Sequence, residues 1–343
     1  MAVHTAPTTQ LGITTQVDPH GIATILIDQP GRKVNVMSMA FIEDMERAVD
    51  DLTPDLKGVI VASGKPDQFV AGADLEELLR ATHPEEAAAQ IRRLHRVFNR
   101  LADLPYPSVA AINGSALGGG LEVALTCDYR VCVETQSSIL GLVEVQLGLI
   151  PAGGCQRLAK LIGLSRALGL ILEAKRYNPR RAKGYGVVDE VVHPTVLQDA
   201  ARRLLSGGKR QTHPRWSRLD QAADRWPAVR ALVHRQAEKR ARAQTRGHYP
   251  APLRALDAVG AGQEQGFGAG LAAEAVAFGE LATGEVARNL IHLFFATEGV
   301  KKEQRGLTTQ ALGVDQVAVC GAGFMGAGIA QAAAVAGYGV RPP

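Results

Sequence analysis

Cysteine is scarce in this chain, and the little there is does not pair. Cys127, Cys132, Cys155 and Cys320 form no C-x-x-C spacing. That excludes a disulfide framework and a ribbon-type zinc site, and it fits a reducing, cytoplasmic compartment. No stretch approaches about 18 consecutive apolar residues, so no membrane span is expected. Residues 1–16 lack an apolar run and contain no Arg, so neither a secretory signal nor a mitochondrial presequence is expected there. The nine His residues show no H-E-x-x-H and no metal-ligand spacing, and no metal is expected. There is no repeat of fixed period and no low-complexity tract.

What remains is ordinary except in one respect. The 343 residues are 46% hydrophobic and 21% charged, which is normal for a globular chain. At roughly 100–200 residues per domain, the length allows about two domains. The 37 glycines are the unusual component. They cluster at a few points, and the chemistry is expected there.

The first half alternates strands and helices. Ile22-Ala-Thr-Ile-Leu-Ile27, preceded by Asp18-Pro-His-Gly21, reads as strand, turn, strand over 12–28. Ser38 is placed to cap an amphipathic helix to about Asp50. The apolar runs 58–62, 107–112 and 129–133 read as buried strands, and 84–103 has helical spacing. The order indicates α/β architecture. Residues 271–299 read as long Ala/Leu-rich helices.

Phe69-Val-Ala-Gly-Ala-Asp-Leu75 places Gly72 between a strand and a helix starting near Asp74. Asn113-Gly-Ser-Ala-Leu-Gly-Gly-Gly-Leu-Glu122 puts three glycines before an apolar helix from Leu121 to Cys127. Glycines at a helix N-terminus let backbone N–H groups approach a ligand where the helix dipole favours negative charge. Two such loops can supply one N–H each to a developing oxyanion. Glu122 follows in the first turn of that helix. Glu144 lies in Gly141-Leu-Val-Glu-Val-Gln-Leu-Gly148, also among apolar residues. Two carboxylates in apolar settings can divide general acid and general base work. Taken singly, each feature also has a purely structural reading: tight helix packing for the glycines, a helix-terminal charge for Glu122, a solvated loop end for Glu144.

Together, these segments with Glu144-Val-Gln-Leu-Gly-Leu-Ile-Pro151, Gly153-Gly-Cys-Gln-Arg-Leu158 and Gly184-Tyr-Gly-Val-Val-Asp189 closely resemble the crotonase (enoyl-CoA hydratase) superfamily, over about residues 12–195. Ala277-Phe-Gly-Glu-Leu-Ala282, Phe294-Phe-Ala-Thr-Glu-Gly-Val-Lys301 and Val317-Ala-Val-Cys-Gly-Ala-Gly-Phe-Met-Gly-Ala-Gly328 extend the resemblance. They look like the linker and dehydrogenase opening of multifunctional fatty-acid oxidation alpha subunits. The resemblance implies a ClpP-like spiral of ββα units at 1–195, a helical extension and linker at 196–312, and an incomplete Rossmann-type βα start at 313–343. It implies hydration of trans-2-enoyl-CoA in fatty-acid β-oxidation, with Glu122 and Glu144 as the catalytic pair and the N–H groups of Ala73 and Gly119 as the oxyanion hole. Ala71, Gly72, Asp74, Gly118, Gly120 and Pro151 would line the acyl-CoA site. No cofactor beyond coenzyme A in the substrate is implied. A thiolase beta subunit and a second copy of the chain are the implied partners. Δ3–Δ2-enoyl-CoA isomerisation, thioester hydrolysis, or a weakly catalytic CoA-binding module are the alternatives.

Three positions depart from the family pattern. Val143 stands where Pro is usual, the loop Pro151-Ala-Gly-Gly154 is one residue short, and Cys155 replaces the commoner Thr. Cys155 has no nearby His in sequence and reads as a small core residue rather than a nucleophile. His95, on a helix, reads as a surface or partly buried residue rather than a catalyst.

Gly321-Ala-Gly323-Phe-Met-Gly326 has the strand-before, helix-after context of a dinucleotide fingerprint. That motif also needs a second strand and an acidic residue about 20 positions onward. Neither is read from Tyr338-Gly-Val-Arg-Pro-Pro, which looks like a truncation or frameshift scar. Residues 313–343 are therefore expected to bind no NAD and to be disordered or irregularly docked. Between Ala201 and Arg254, fourteen Lys or Arg stand against three acidic residues. With no RNP-like motif or zinc spacing, this reads as a solvated helical face, with the phosphates of CoA as the alternative partner and no nucleic acid.

Overall fold

A computed structural model describes residues 11–210, 216–306, 313–321 and 323–341. The first ten residues and the terminal Pro342-Pro343 lie outside the described residues. The chain separates into two compact units, Met1–Phe294 and Phe295–Pro343.

The first unit opens with an antiparallel hairpin, β1 (Ile13–Val17) and β2 (Ile22–Ile27). Its turn is closed by the Asp18 carboxylate, which accepts from the N–H groups of His20 and Ile22. Helix α1 (Met39–Asp50) begins where the Ser38 hydroxyl accepts from the Phe41 N–H at 3.2 Å, the expected cap. There follow β3 (Gly58–Ser63), β4 (Gln68–Val70), the short α2 (Leu75–Leu78), α3 (Pro84–Ala102), β5 (Ser108–Ile112), β6 (Ser115–Leu117), α4 (Gly119–Thr126), β7 (Tyr129–Val133) and β8 (Leu140–Gly141). After a 3₁₀ turn at Glu144–Leu147 come α5 (Gly154–Ile162), α6 (Leu164–Leu172), α7 (Pro179–Tyr185), β9 (Glu190–Val192) and α8 (Leu197–Leu205). The remaining helices are α9 (Arg218–Arg225), α10 (Pro227–Thr245), α11 (Ala251–Gln265), α12 (Phe267–Ala282) and α13 (Glu285–Gly306), within which the two units divide.

Successive strand pairs feed two sheets. One strand of each pair joins a six-stranded sheet of order β1-β2-β3-β5-β7-β9, parallel beyond the hairpin. The other joins a small parallel sheet of order β4-β6-β8. This is the spiral of ββα units. The large sheet is buried on both faces, which explains its unbroken apolar runs. In β3, Val59 and Val61 face the main core, while Ile60 and Ala62 face a second core under Leu197, Ala201 and Leu205 of α8. Helices α9 to α12 contribute Ala223, Val233, Ala255, Val259, Ala275 and Phe278 to the main core. Most of the basic side chains on α10 stay exposed, although Arg230 is turned inward and donates to the Gln263 carbonyl at 2.6 Å.

The second unit corrects one expectation. β10 (Gln316–Ala318), α14 (Phe324–Val335) and β11 (Gly339–Arg341) form a complete βαβ turn. β11 pairs parallel with β10, Gln316 opposite Gly339. The second strand is therefore present, and residues 313–321 and 323–341 are regular rather than disordered. Three residues, Gly339-Val-Arg341 ahead of Pro342, carry too little periodicity to read as a strand without their partner.

Candidate active site

Glu122 sits in the first turn of α4 and is 2% exposed. That helix begins at Gly119, two residues earlier than its apolar run suggests, because Gly118 turns the chain at φ +52°. Such a backbone favours glycine. The Gly154 N–H donates to Glu122 Oε1 at 2.7 Å. Burial pushes the Glu122 carboxyl up to about 7, while the N–H groups of Gly154 and Ala152 and the charge of Arg157 hold it down.

Glu144 opens the 3₁₀ turn after β8. Both of its carboxylate oxygens are out of solvent and unpartnered among the described residues. Burial, then repulsion from Glu122, raise it well above the usual carboxylate range. The two glutamates flank one peptide. A Cβ on Gly118 would stand 3.2 Å from Glu144 Oε1, and one on Gly119 would stand 3.6 Å from Glu122 Oε2.

The second loop meets that peptide. A Cβ on Gly72 would lie 3.9 Å from the Gly119 nitrogen. Met37 fixes the loop from both sides: its N–H donates to the Gly72 carbonyl at 2.7 Å, and its carbonyl accepts from Asp74 N–H at 2.9 Å. Ala71 donates to the Asn35 carbonyl at 2.8 Å. This pinning leaves the Ala73 N–H without a protein acceptor among the described residues, and the Gly119 N–H at the first position of α4 is likewise free. Gly120 packs its α-carbon on the Val70 carbonyl, and Pro151 packs on Gly154. Asp74 is occupied structurally. It caps α2 by accepting from Glu76 and Glu77, and it pairs with Arg32 at 2.9 Å.

The fold also brings in residues that the sequence pattern alone leaves aside. Glu274, on α12, is wholly buried. It accepts from the Gly153 N–H and, at 2.9 Å, from the Gln156 N–H. Burial first, and then Glu122, push its carboxyl up to about 8, against those two donors. Its signal is a lone acid in the apolar run Gly270-Leu-Ala-Ala-Glu-Ala-Val-Ala-Phe278, the same signal that marks Glu122. Arg157 is buried between the rings of Phe98 and Phe267, 5.9 and 5.5 Å from their centroids, and donates to Asn99. His95 is buried rather than at the surface: its ring lies against the Gly153 turn, and burial and Arg157 depress it to about 4. Cys155 is buried and its thiol is raised well above the usual range, which suits a core residue.

In the second unit, Gly321 has φ +105° and a Cβ on Gly326 would lie 1.7 Å from the Gly321 carbonyl oxygen. The strand–helix approach fits a pyrophosphate loop, with Gly323 as the residue before α14. Asp315, ahead of β10, is the only carboxylate among described residues 313–341, and β11 ends on Arg341. No hydride-transfer step is assigned to this unit.

A family model described as enoyl-CoA hydratase/isomerase matches residues 18–244. The chain is 43% identical over 325 residues to the fatty acid oxidation complex subunit alpha of Vibrio parahaemolyticus, covering 94% of this chain and 46% of that protein. To the subunit of the same name from Vibrio cholerae it is 43% identical over 320 residues, covering 92% and 45%. The chain thus spans about half the length of the curated relatives it matches. Among solved structures it is similar to an enoyl-CoA hydratase from Bacillus anthracis, with 28% identity and a TM-score of 0.53 over 87% of this chain and 98% of that one. The human mitochondrial delta3-delta2-enoyl-CoA isomerase shares the fold at 24% identity and a TM-score of 0.59, over 85% and 99%. No described helix is long and apolar enough to cross a membrane.

Proposed function

The chain belongs to the enoyl-CoA hydratase/isomerase family, and from that premise we propose that it adds water across the C2=C3 bond of trans-2-enoyl-CoA thioesters in fatty-acid β-oxidation. The observation that carries this reading is the pair of buried glutamates on either side of the Gly118–Gly119 peptide. The free N–H groups of Ala73 and Gly119 hold the thioester oxygen, worth about 3–4 kcal/mol per donor as negative charge builds on it.

Roles follow from the environments. Glu122 has backbone donors that favour its ionised form, so it is the base. It takes a proton from water as the oxygen bonds to C3. Glu144 has no donor from another residue to hold a charge, only its own backbone N–H, and burial and Glu122 outweigh that, so it carries the proton and delivers it to C2. Charge moves onto the thioester oxygen and returns as C2 is protonated. One water is consumed, and a later proton exchange resets the pair.

Residues 1–195 form the catalytic core in this proposal, 196–312 its helical extension and linker, and 313–343 the opening of a nucleotide-binding domain. A thiolase beta subunit, a second copy of the chain and a cytoplasmic setting complete it. The test is incubation with C4 to C16 enoyl-CoA substrates and mass analysis of the products. Hydration raises the mass by that of one water. An unchanged mass with a moved double bond, free CoA, or no turnover would each sink the hydratase reading.

A further inference from the structure

The turn Ala152-Gly153-Gly154 is held from three elements outside its own helix. Glu122, from α4, accepts from Gly154. Glu274, from α12, accepts from Gly153 and from Gln156 in the first turn of α5. His95, from α3, lays its ring against Gly153, where a Cβ would stand 3.3 Å from it. Two carboxylates thus share one helix N-terminus, where backbone donors are otherwise unsatisfied.

Helix α12 is brought there by close packing. Gln156 donates to the Ala258 carbonyl of α11 at 2.8 Å, and a Cβ on Gly262 of α11 or on Gly270 of α12 would stand 1.8 or 2.4 Å from Gln156 Oε1. The junction of α11 and α12 is therefore built around a side chain adjacent to the turn.

We infer that Glu274 is a positioning residue for the hydratase site: it clamps the Gly153–Gly154 turn so that the Gly154 N–H is aimed at the general base Glu122. The site is then incomplete without a helix that lies beyond residue 250. The inference rests on the hydratase reading for its catalytic meaning, but its geometry does not. The charged groups facing Glu122 are Glu144 from the turn after β8, Glu274 from α12 and Arg157 from α5, with the His95 ring alongside from α3. Among them, Arg157 is the cation, held between two aromatic rings.

Glu274 repels Glu122 only when ionised, and at about 8 it is still protonated while Glu122 titrates near 7, so the Gly154 donor governs the sign. Losing the clamp loosens the Gly154 donor, and a carboxylate that loses a backbone donor titrates higher. Glu274→Gln keeps the volume and one acceptor but turns an amide N–H₂ toward one of the two backbone N–H groups. Its kcat is expected to fall about tenfold with KM little changed, and the acidic limb of its pH profile to move up by about half a unit or more. Glu274→Ala is expected to do both more strongly. In parallel, wild type and Glu274→Gln carrying ¹³Cδ-labelled glutamate are titrated by NMR, with the Glu122 resonance identified by its loss in Glu122→Gln. An upward shift of the Glu122 midpoint supports the inference. An unmoved midpoint in Glu274→Gln overturns it, whatever happens to the melting temperature. Absence of wild-type turnover would sink the hydratase reading alone, because the midpoint is read without activity.

Discussion

The Gly154 N–H lies 2.7 Å from Glu122 Oε1 and joins the first turns of two helices head to head. Glu144, across the Gly118–Gly119 peptide, has no such donor from another described residue. Two carboxyls in one dry pocket are thereby made unequal, and the inequality divides their roles. Replacing either by Gln removes one proton-transfer group without changing the shape of the site. Glu122→Gln and Glu144→Gln are each expected to lower kcat for crotonyl-CoA hydration by about 10²–10⁴-fold. Calorimetric affinity for a saturated acyl-CoA is expected to stay within a few-fold. Wild-type turnover in either variant would contradict the assignment.

The same inequality sets the pH profile. Glu122 must be ionised to act as base, and its carboxyl stands at about 7. Activity is therefore expected to rise as pH increases through about 7. Glu144 must be protonated, and it lies well above the ordinary range, so activity falls again only when pH is high enough to ionise it. A stopped-flow profile of kcat/KM from mildly acidic to alkaline pH checks the order of the two limbs. A profile flat below neutral pH would exclude Glu122 as base.

Buried carboxyls that stand above their ordinary values make stability depend on pH. Glu122 and Glu274 stand at about 7 and about 8 in the folded protein, against 4.5 as the ordinary value. Between those values the folded chain holds more protons than the unfolded one. Stability is then greatest at the acid end of the window and falls as pH rises through it. Urea unfolding at about pH 5.5 and about pH 8.5 is expected to show a loss of a few kcal/mol on the alkaline side. In Glu274→Gln the loss is expected to be smaller, because one of the contributing groups no longer ionises.

Local pattern carried much of this architecture. Ser38, Asp74 and the three runs of β-branched residues placed helix starts and buried strands, because caps and strand alternation are short-range signals. Glu122 and Glu144 stood out because acids among apolar neighbours are costly unless used. Glu274 carries the same local signal, but its partner Gly153 is 121 positions away, and no local pattern encodes that meeting. The burial of His95 has the same cause: one face of α3 is covered by a turn from α5. β11 escaped because a three-residue strand is defined by its partner β10 more than by its own composition.

Gly169 and Gly262 separate packing from propensity. Gly169 lies within α6, and a Cβ there would meet nothing within 4 Å. Gly169→Ala is expected to stabilise the protein by up to about 1 kcal/mol through helix propensity, with activity unchanged. Gly262 also lies within a helix, α11, and propensity alone predicts the same gain. There a Cβ would stand 1.8 Å from Gln156 Oε1, inside any allowed contact. Gln156 must then leave the Ala258 carbonyl, and the side-chain hydrogen bond that it makes to Glu274 is disturbed with it. Overpacking of this kind costs about 1–3 kcal/mol, which outweighs the propensity gain. Gly262→Ala is expected to lower the melting temperature and also to reduce kcat, since the shift passes through Glu274 to the Gly154 donor. Thermal melts and crotonyl-CoA turnover on the two variants check both signs; a Gly262→Ala protein as stable and active as Gly169→Ala would show that the junction of α11 and α12 does not govern the site.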